Sequence, residues 1–213
     1  MSVAPRMQTP PSMKLCLLAV IAAIVAVANP AVAGEPTDVL KKRVDQILAL
    51  LDEPGDHRTE IRKVADGVFD FEEMSRRALG PHWNARSPEE RREFTTLFAD
   101  LLERSYINRV ESGRGSAVQY VGESVSGDEA SVRTRIVTAQ RTEVPVDYRM
   151  HRKDGRWQIF DVSIEGISLI NNYRSQFNSV IQSSSYAALV ERLRSKETEG
   201  AASPPSPRRS RRD

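Results

Sequence analysis

The sequence predicts an α+β fold, a helical layer packed on a twisted antiparallel sheet. Three observations predict it. Apolar residues recur at helical spacing as far as Gly113, the period drops to two from Ser116, and helical spacing returns after Gly166. Helices, then a meander of strands, then helices is the order expected when helices cover one apolar face of a sheet. A length of 213 residues suits one domain.

The amino terminus is set apart from that domain. Leu15 to Val27 is an almost unbroken apolar run, preceded by Arg6 and Lys14 and followed by Ala31-Val32-Ala33 before Gly34. A charged start, an apolar run and a small-residue cleavage site predict a secretory signal peptide over residues 1–33, with Met13 as an alternative start. A retained anchor is the competing reading, but the run is short for a span of about 20 residues. Cys16 is the single cysteine and lies inside this leader, whereas a lipoprotein attachment site would follow the run. The mature chain therefore needs no disulfide framework and offers no thiol nucleophile or cysteine metal site. Loss of Arg6 and Lys14 takes the formal net charge from +2 to zero. The last six residues, with four arginines against Asp213, carry +3 of that and leave −3 on the rest. The basic balance is a tail effect and gives no licence for nucleic-acid binding.

The helices follow in order. After Pro36-Thr37-Asp38, Leu40, Val44, Ile47, Leu48 and Leu51 share a face, and Glu53-Pro54-Gly55-Asp56 ends the segment. A second helix carries Ile61, Val64, Ala65 and Val68. Asp70, with Glu73 three residues on, can cap a third that holds Met74 and Leu79 and stops at Gly80-Pro81. Ser87-Pro88-Glu89-Glu90 is the clearest start: serine as N-cap, proline at the first helical position, Glu90 as capping-box partner. That helix buries Phe94, Leu97, Phe98, Leu101 and Leu102 and runs through Tyr106 and Val110 to Gly113. Its charged face is a solvated mixture.

The strands come next. Val118–Val125 and Ala130–Thr138 meet at Gly127-Asp128, and Val144–Arg152 and Arg156–Ile164 meet at Lys153-Asp154-Gly155. In the second hairpin a two-residue loop would pair Tyr148 with Asp161 and scramble the faces. A three-residue loop with Gly155 left-handed pairs Tyr148 with Phe160, Val146 with Val162 and Val144 with Ile164, giving one apolar face. Gly166 then lets the chain turn into a helix over 167–182 with the stripe Ile167, Ile170, Tyr173 and Phe177; Asn172, Arg174 and Gln176 should face outward. A short helix over 186–196 follows. From about Thr198 the chain is Ser/Pro/Arg-rich and predicts a disordered tail over 198–213.

Motifs for chemistry are missing. His57, His82 and His151 have no second ligand at metal spacing, and there is no G-x-S-x-G, P-loop or G-x-G-x-x-G. Asp147 and Asp161 would be cross-strand neighbours able to share a proton. Bracketing by Arg149 and by Arg133 or Arg135 is the plainer expectation. No catalytic residue is assigned. The apolar residues could simply form one core.

Two stretches carry a resemblance. One is Phe69-Asp70-Phe71-Glu72-Glu73-Met74 through Ala78-Leu79-Gly80, then Trp83 and Ser87-Pro88-Glu89-Glu90-Arg91-Arg92-Glu93-Phe94, ending Leu101-Leu102 and Tyr106. The other is Val146-Asp147-Tyr148-Arg149, Gly155-Arg156-Trp157, Asp161 to Leu169, and Asn172-Tyr173-Arg174-Ser175-Gln176-Phe177. In that order and behind a signal peptide they resemble the MlaC family, periplasmic phospholipid-binding components of a lipid-transport system. With the spacing between them they cover most of 37–196; the Arg/Pro tail is outside the pattern.

The resemblance implies a phospholipid-binding domain over 34–197, with a deep apolar pocket between helices and sheet for the acyl chains. It implies a monomeric carrier in the periplasm, with no cofactor beyond its lipid cargo. Its partners would be an inner-membrane ABC transporter complex and an outer-membrane lipoprotein–porin complex. The residues expected to line the pocket are Leu97, Leu101 and Tyr106; Val144, Val146 and Tyr148; Phe160, Val162 and Ile164; and Ile167, Ile170, Tyr173 and Phe177. Strand 161–164 would give one wall and helix 167–177 would close it. Two rivals stand beside this reading. A small-molecule enzyme or binder on a similar scaffold would need polar groups converging inside the pocket. An interaction module would use its basic tail.

Overall fold

The computed structural model describes residues 35–195. The expected signal peptide and the expected disordered tail lie outside the described residues. Four helices come first: α1 (Glu35–Asp52), α2 (Arg58–Asp66), α3 (Phe71–Leu79) with a short 3₁₀ turn after it, and α4 (Pro88–Glu111). The strands β1 (Ala117–Ser126), β2 (Glu129–Val137), β3 (Glu143–Lys153), β4 (Arg156–Ile164) and β5 (Ile167–Ser168) follow, then α5 (Leu169–Ser183) and α6 (Tyr186–Arg194). The strands form one antiparallel sheet in the order β1-β2-β3-β4-β5. This is the α+β order that the change of period predicts.

Local chemistry fixes the helix starts. At α4, Glu90 N donates to Ser87 Oγ (3.2 Å) while Ser87 N donates to Glu90 Oε2 (2.8 Å), with Pro88 in the first turn. Such a cap stabilises a helix by about 1 kcal/mol. At α3 only half of the expected box forms. Asp70 Oδ1 accepts from Glu73 N at 3.0 Å, but the Glu73 carboxylate turns to Arg76 and Arg77. The Asp70 N–H is already used: it donates to Ile159 O at 2.9 Å, as residues 68–70 lie alongside β4.

The β3–β4 hairpin differs from the expected register. Lys153 pairs with Arg156 across a two-residue loop, with Asp154 and Gly155 at φ of +51° and +72°. An Asp-Gly pair with both residues left-handed is the type I′ turn whose twist matches the strands. Continued unbroken, this register would put Asp161 opposite Tyr148. A bulge prevents that. Met150 pairs with Ile159 and Arg149 with Asp161, leaving Phe160 as the extra residue. Beyond it Tyr148 faces Val162 and Val146 faces Ile164, so the apolar face is restored by a different route. Asp147 consequently lies opposite Ser163 and not Asp161. A second tight turn, Glu165-Gly166 at φ of +51° and +80°, folds Ile167 and Ser168 back on β4 before α5 begins at Leu169.

Two apolar clusters result. In the first, α3, α4, α5 and α6 pack around Phe94, Phe98, Tyr173 and Phe177. Phe98 meets Tyr173 and Phe177 edge-on, with ring centroids 5.2 and 5.3 Å apart; such pairs add about 0.5–1.5 kcal/mol each beyond burial. In the second, Val132, Val146, Met150, Trp157, Ile159 and Val162 of the sheet pack with Leu40 and Val68. Phe69 and Tyr106 border both clusters.

Candidate functional site

A cavity of about 270 Å³ opens where α1, α2 and α4 approach the sheet. Each helix contributes a stripe at its own period. From α1 come Leu40, Val44 and Ile47; from α2 Ile61 and Ala65, followed by Val68; from α4 Ala99, Leu102, Tyr106, Ile107 and Val110. Tyr148 of β3 and Ile159 of β4 contribute from the sheet, and Phe69, Phe71 and Met74 line it from the segment leading into α3 and from α3 itself.

Charge is confined to four of the lining residues: Arg43, Arg62, Asp66 and Glu103. The Arg62 guanidinium donates to Asp100 Oδ1 at 2.8 Å and also bonds Glu103. The Asp100 hydrogen bond raises its pKa further, so it is a fixed cation tying α2 to α4. Among the described residues, the hydroxyls in the wall are phenols, those of Tyr106 and Tyr148. Burial pushes Tyr148 up to about 12, partly opposed by its hydrogen bond with Thr134, and burial likewise raises Tyr106. Both are neutral at pH 7. The wall therefore buries mostly apolar surface, and its two phenols keep their protons at neutral pH.

The structure distributes the expected pocket residues over several places. Tyr106 and Tyr148 line this cavity. Leu101, Ile170, Tyr173 and Phe177 lie in the all-helical cluster, with Leu97 packed against it. Val146 and Val162 lie in the cluster under the sheet, with Val144 and Ile164 at its margin. Phe160, the bulge residue, is buried beneath the guanidinium groups of Arg77 and Arg149, 4.0 and 4.9 Å from its ring centroid. Ile167 is 36% exposed. Helix α5 thus contributes nothing to the lining of this cavity, while α1 and α2 contribute much of it.

The possible acid pair is absent. Asp161 is buried, with its Oδ2 accepting from Ser168 Oγ at 2.7 Å and its Oδ1 from Ile170 N at 3.2 Å. It caps α5, and its cross-strand neighbour is Arg149. His82 pairs with Asn178 (3.0 Å) and His151 with Asp70 (3.1 Å). Among the described residues no group of three or more His, Cys, Asp or Glu side chains is placed to hold a metal ion. Nor is any helix among them long and apolar enough to cross a membrane.

The sequence profile of the MlaC protein family matches residues 37–195, which include every residue named above in the cavity wall. The chain belongs to the MlaC family. Among the relatives of this MlaC chain, the intermembrane phospholipid transport system binding protein MlaC of Haemophilus influenzae is 21% identical over 146 residues. That match spans 66% of this chain and 68% of the relative. A solved structure of a phospholipid-binding protein from Ralstonia solanacearum, in complex with a phospholipid, superposes with a TM-score of 0.71. It is 24% identical, and the match covers 78% of this chain and 99% of that one. At that identity the likeness establishes the shared α+β fold.

Proposed function

We propose that this protein is a periplasmic phospholipid carrier that holds acyl chains in the α1–α2–α4 cavity and leaves the headgroup at its charged rim. One observation carries the reading: in a chain of the MlaC family, helices α1 to α4 and strands β3 and β4 converge on a cavity whose wall is apolar except at Arg43, Arg62, Asp66 and Glu103. The names of the relatives point the same way. The Haemophilus protein is named for intermembrane phospholipid transport, and the Ralstonia protein holds a phospholipid. Tyr106 and Tyr148 touch the chains in this proposal, while the remaining residues of the sequence-based set hold the walls in place.

The mechanism is carriage without bond chemistry. Each CH₂ taken from water contributes about 0.8 kcal/mol. Two chains of roughly fifteen carbons would then exceed the ~20 kcal/mol at which non-covalent affinities saturate. A bilayer has already buried those chains, so the cavity has only to match the membrane within a few kcal/mol. Exchange then runs by docking on a membrane complex, not by free lipid crossing water. The carrier acts as a monomer between an outer-membrane lipoprotein–porin complex and an inner-membrane ABC transporter, which supplies the ATP hydrolysis. The volume sets a further condition. About 270 Å³ falls just below the range for drug-sized ligands, roughly 300–1,000 Å³. A two-chain lipid needs more room than that, so in this proposal the cavity widens to take it.

Native mass spectrometry of protein purified from cells tests this. The expected spectrum carries the mass of one phospholipid, lost on delipidation and regained from phospholipid vesicles. Lipid-free protein of full stability that takes nothing from vesicles would overturn the carrier reading.

A further inference from the structure

We propose that Arg43 contacts the phosphate of the bound phospholipid, so that the rim of the cavity selects a phosphodiester over an uncharged diacyl lipid. The proposal rests on the carrier reading and adds the group that recognises the cargo. Of the charged residues lining the cavity, Arg43 alone is a cation without an acidic partner among the described residues. Arg62 is committed to Asp100 and Glu103. Arg43 makes one side-chain hydrogen bond among the described residues, Nη1 to Gln46 Oε1 at 3.1 Å, and it enters none of the ion pairs among them. A guanidinium has five N–H donors in a planar fork, so most of its donors remain for a ligand.

Its position suits the role. Arg43 follows Leu40 by three residues and directly precedes Val44, so it stands about one helical turn or less from two residues of the acyl wall. The aliphatic stem of an arginine packs along apolar surface while its head stays at water. Its Nη2 lies beside Gly67, 3.7 Å from where a Cβ would be, which places the head near the end of α2. A planar fork matches two phosphate oxygens at once, a geometry that a lysine ammonium does not offer. The other cation in the lining faces two carboxylates, so Arg43, on the α1 side, is the cation left to meet an anionic headgroup.

The test is a competition. Delipidated full-length mature protein is offered an equimolar mixture of phosphatidylglycerol and the matching diacylglycerol in mild-detergent micelles, and bound masses are read by native mass spectrometry. Wild type is expected to load mostly phospholipid. Arg43→Gln should lower the phospholipid-to-diacylglycerol ratio about tenfold, the size of one charge-assisted contact. Arg43→Lys, which keeps the charge but loses the planar fork, should give a ratio between those of wild type and Arg43→Gln. Inorganic phosphate added in excess should leave loading unchanged. An Arg43→Gln ratio equal to wild type would overturn the assignment while leaving carriage intact. Loss of phospholipid loading to inorganic phosphate would assign Arg43 to free phosphate and overturn the headgroup role. If wild type takes up neither lipid, the carrier reading fails, and this inference fails with it.

Discussion

Glu123, on the edge strand β1, caps helix α1 through Thr37. Its Oε2 accepts the Thr37 backbone N–H at 2.8 Å and the Thr37 hydroxyl as well. A carboxylate at a helix N-terminus satisfies an otherwise orphaned donor and meets the positive end of the helix dipole. The contact matters beyond the helix end, because α1 carries Leu40, Val44 and Ile47 into the cavity wall. Glu123→Ala is expected to cost about 1–2 kcal/mol in urea unfolding and to speed the release of lipid to acceptor vesicles. A variant with wild-type unfolding and wild-type release would show that α1 is held elsewhere.

Acid should loosen the junction between α3 and the sheet. Asp70 is buried, which by itself pulls its pKa up, but the Glu73 N–H, Lys153 Nζ at 2.9 Å and the nearby His151 outweigh burial and hold it below the usual carboxylate range. A depressed folded-state pKa contributes stability that is present above the unfolded value, near about 3.9, and is lost as pH falls through the lower folded value. Unfolding free energies should therefore decline below about pH 4. Asp70→Asn should be less stable than wild type at pH 7 and show a shallower decline. An unchanged slope in that variant would assign the acid sensitivity to other carboxylates.

Much of this architecture was legible because its signals are local. The Ser87 cap, the Gly127-Asp128 turn, the place of the second hairpin turn (though not its length) and the change of period each depend on a few neighbouring residues. The bulge at Phe160 was not legible. Sequence alternation assumes an unbroken ladder, and Phe160 is as apolar as the residues it interrupts, so pattern alone favoured a longer turn over a bulge. The cavity was half legible for a different reason. Helix α4 bears two apolar stripes that meet: Phe94, Phe98 and Leu101 face the helical cluster, Ala99, Ile107 and Val110 line the cavity, and Leu102 and Tyr106 belong to both. Read as one face, they merge. The large aromatics of α4 and α5 then attract the functional reading; in the structure they pack in the helical cluster. The smaller aliphatics of α1 and α2 were recognised as helix faces, but nothing in a single sequence says that those faces leave a gap.

That distinction between filled core and cavity wall can be measured with one type of substitution at two places. Val146 is 5% exposed, in the cluster under the sheet, and its carbonyl accepts from Thr134 Oγ1 at 2.9 Å. Ile47 is half-buried on α1 and borders the cavity. Tryptophan at Val146 has no space to enter. It must displace packed neighbours and should cost roughly 1–3 kcal/mol or more. Tryptophan at Ile47 can extend into space that an acyl chain would otherwise use, so the delipidated protein should melt within a few degrees of wild type, a stability change below about 1 kcal/mol. Its phospholipid occupancy, read as the bound mass after purification, should nevertheless fall to a small fraction of wild type. Full occupancy in Ile47→Trp would remove α1 from the binding wall. Equal destabilisation at both positions would mean that this opening is part of the ordinary core.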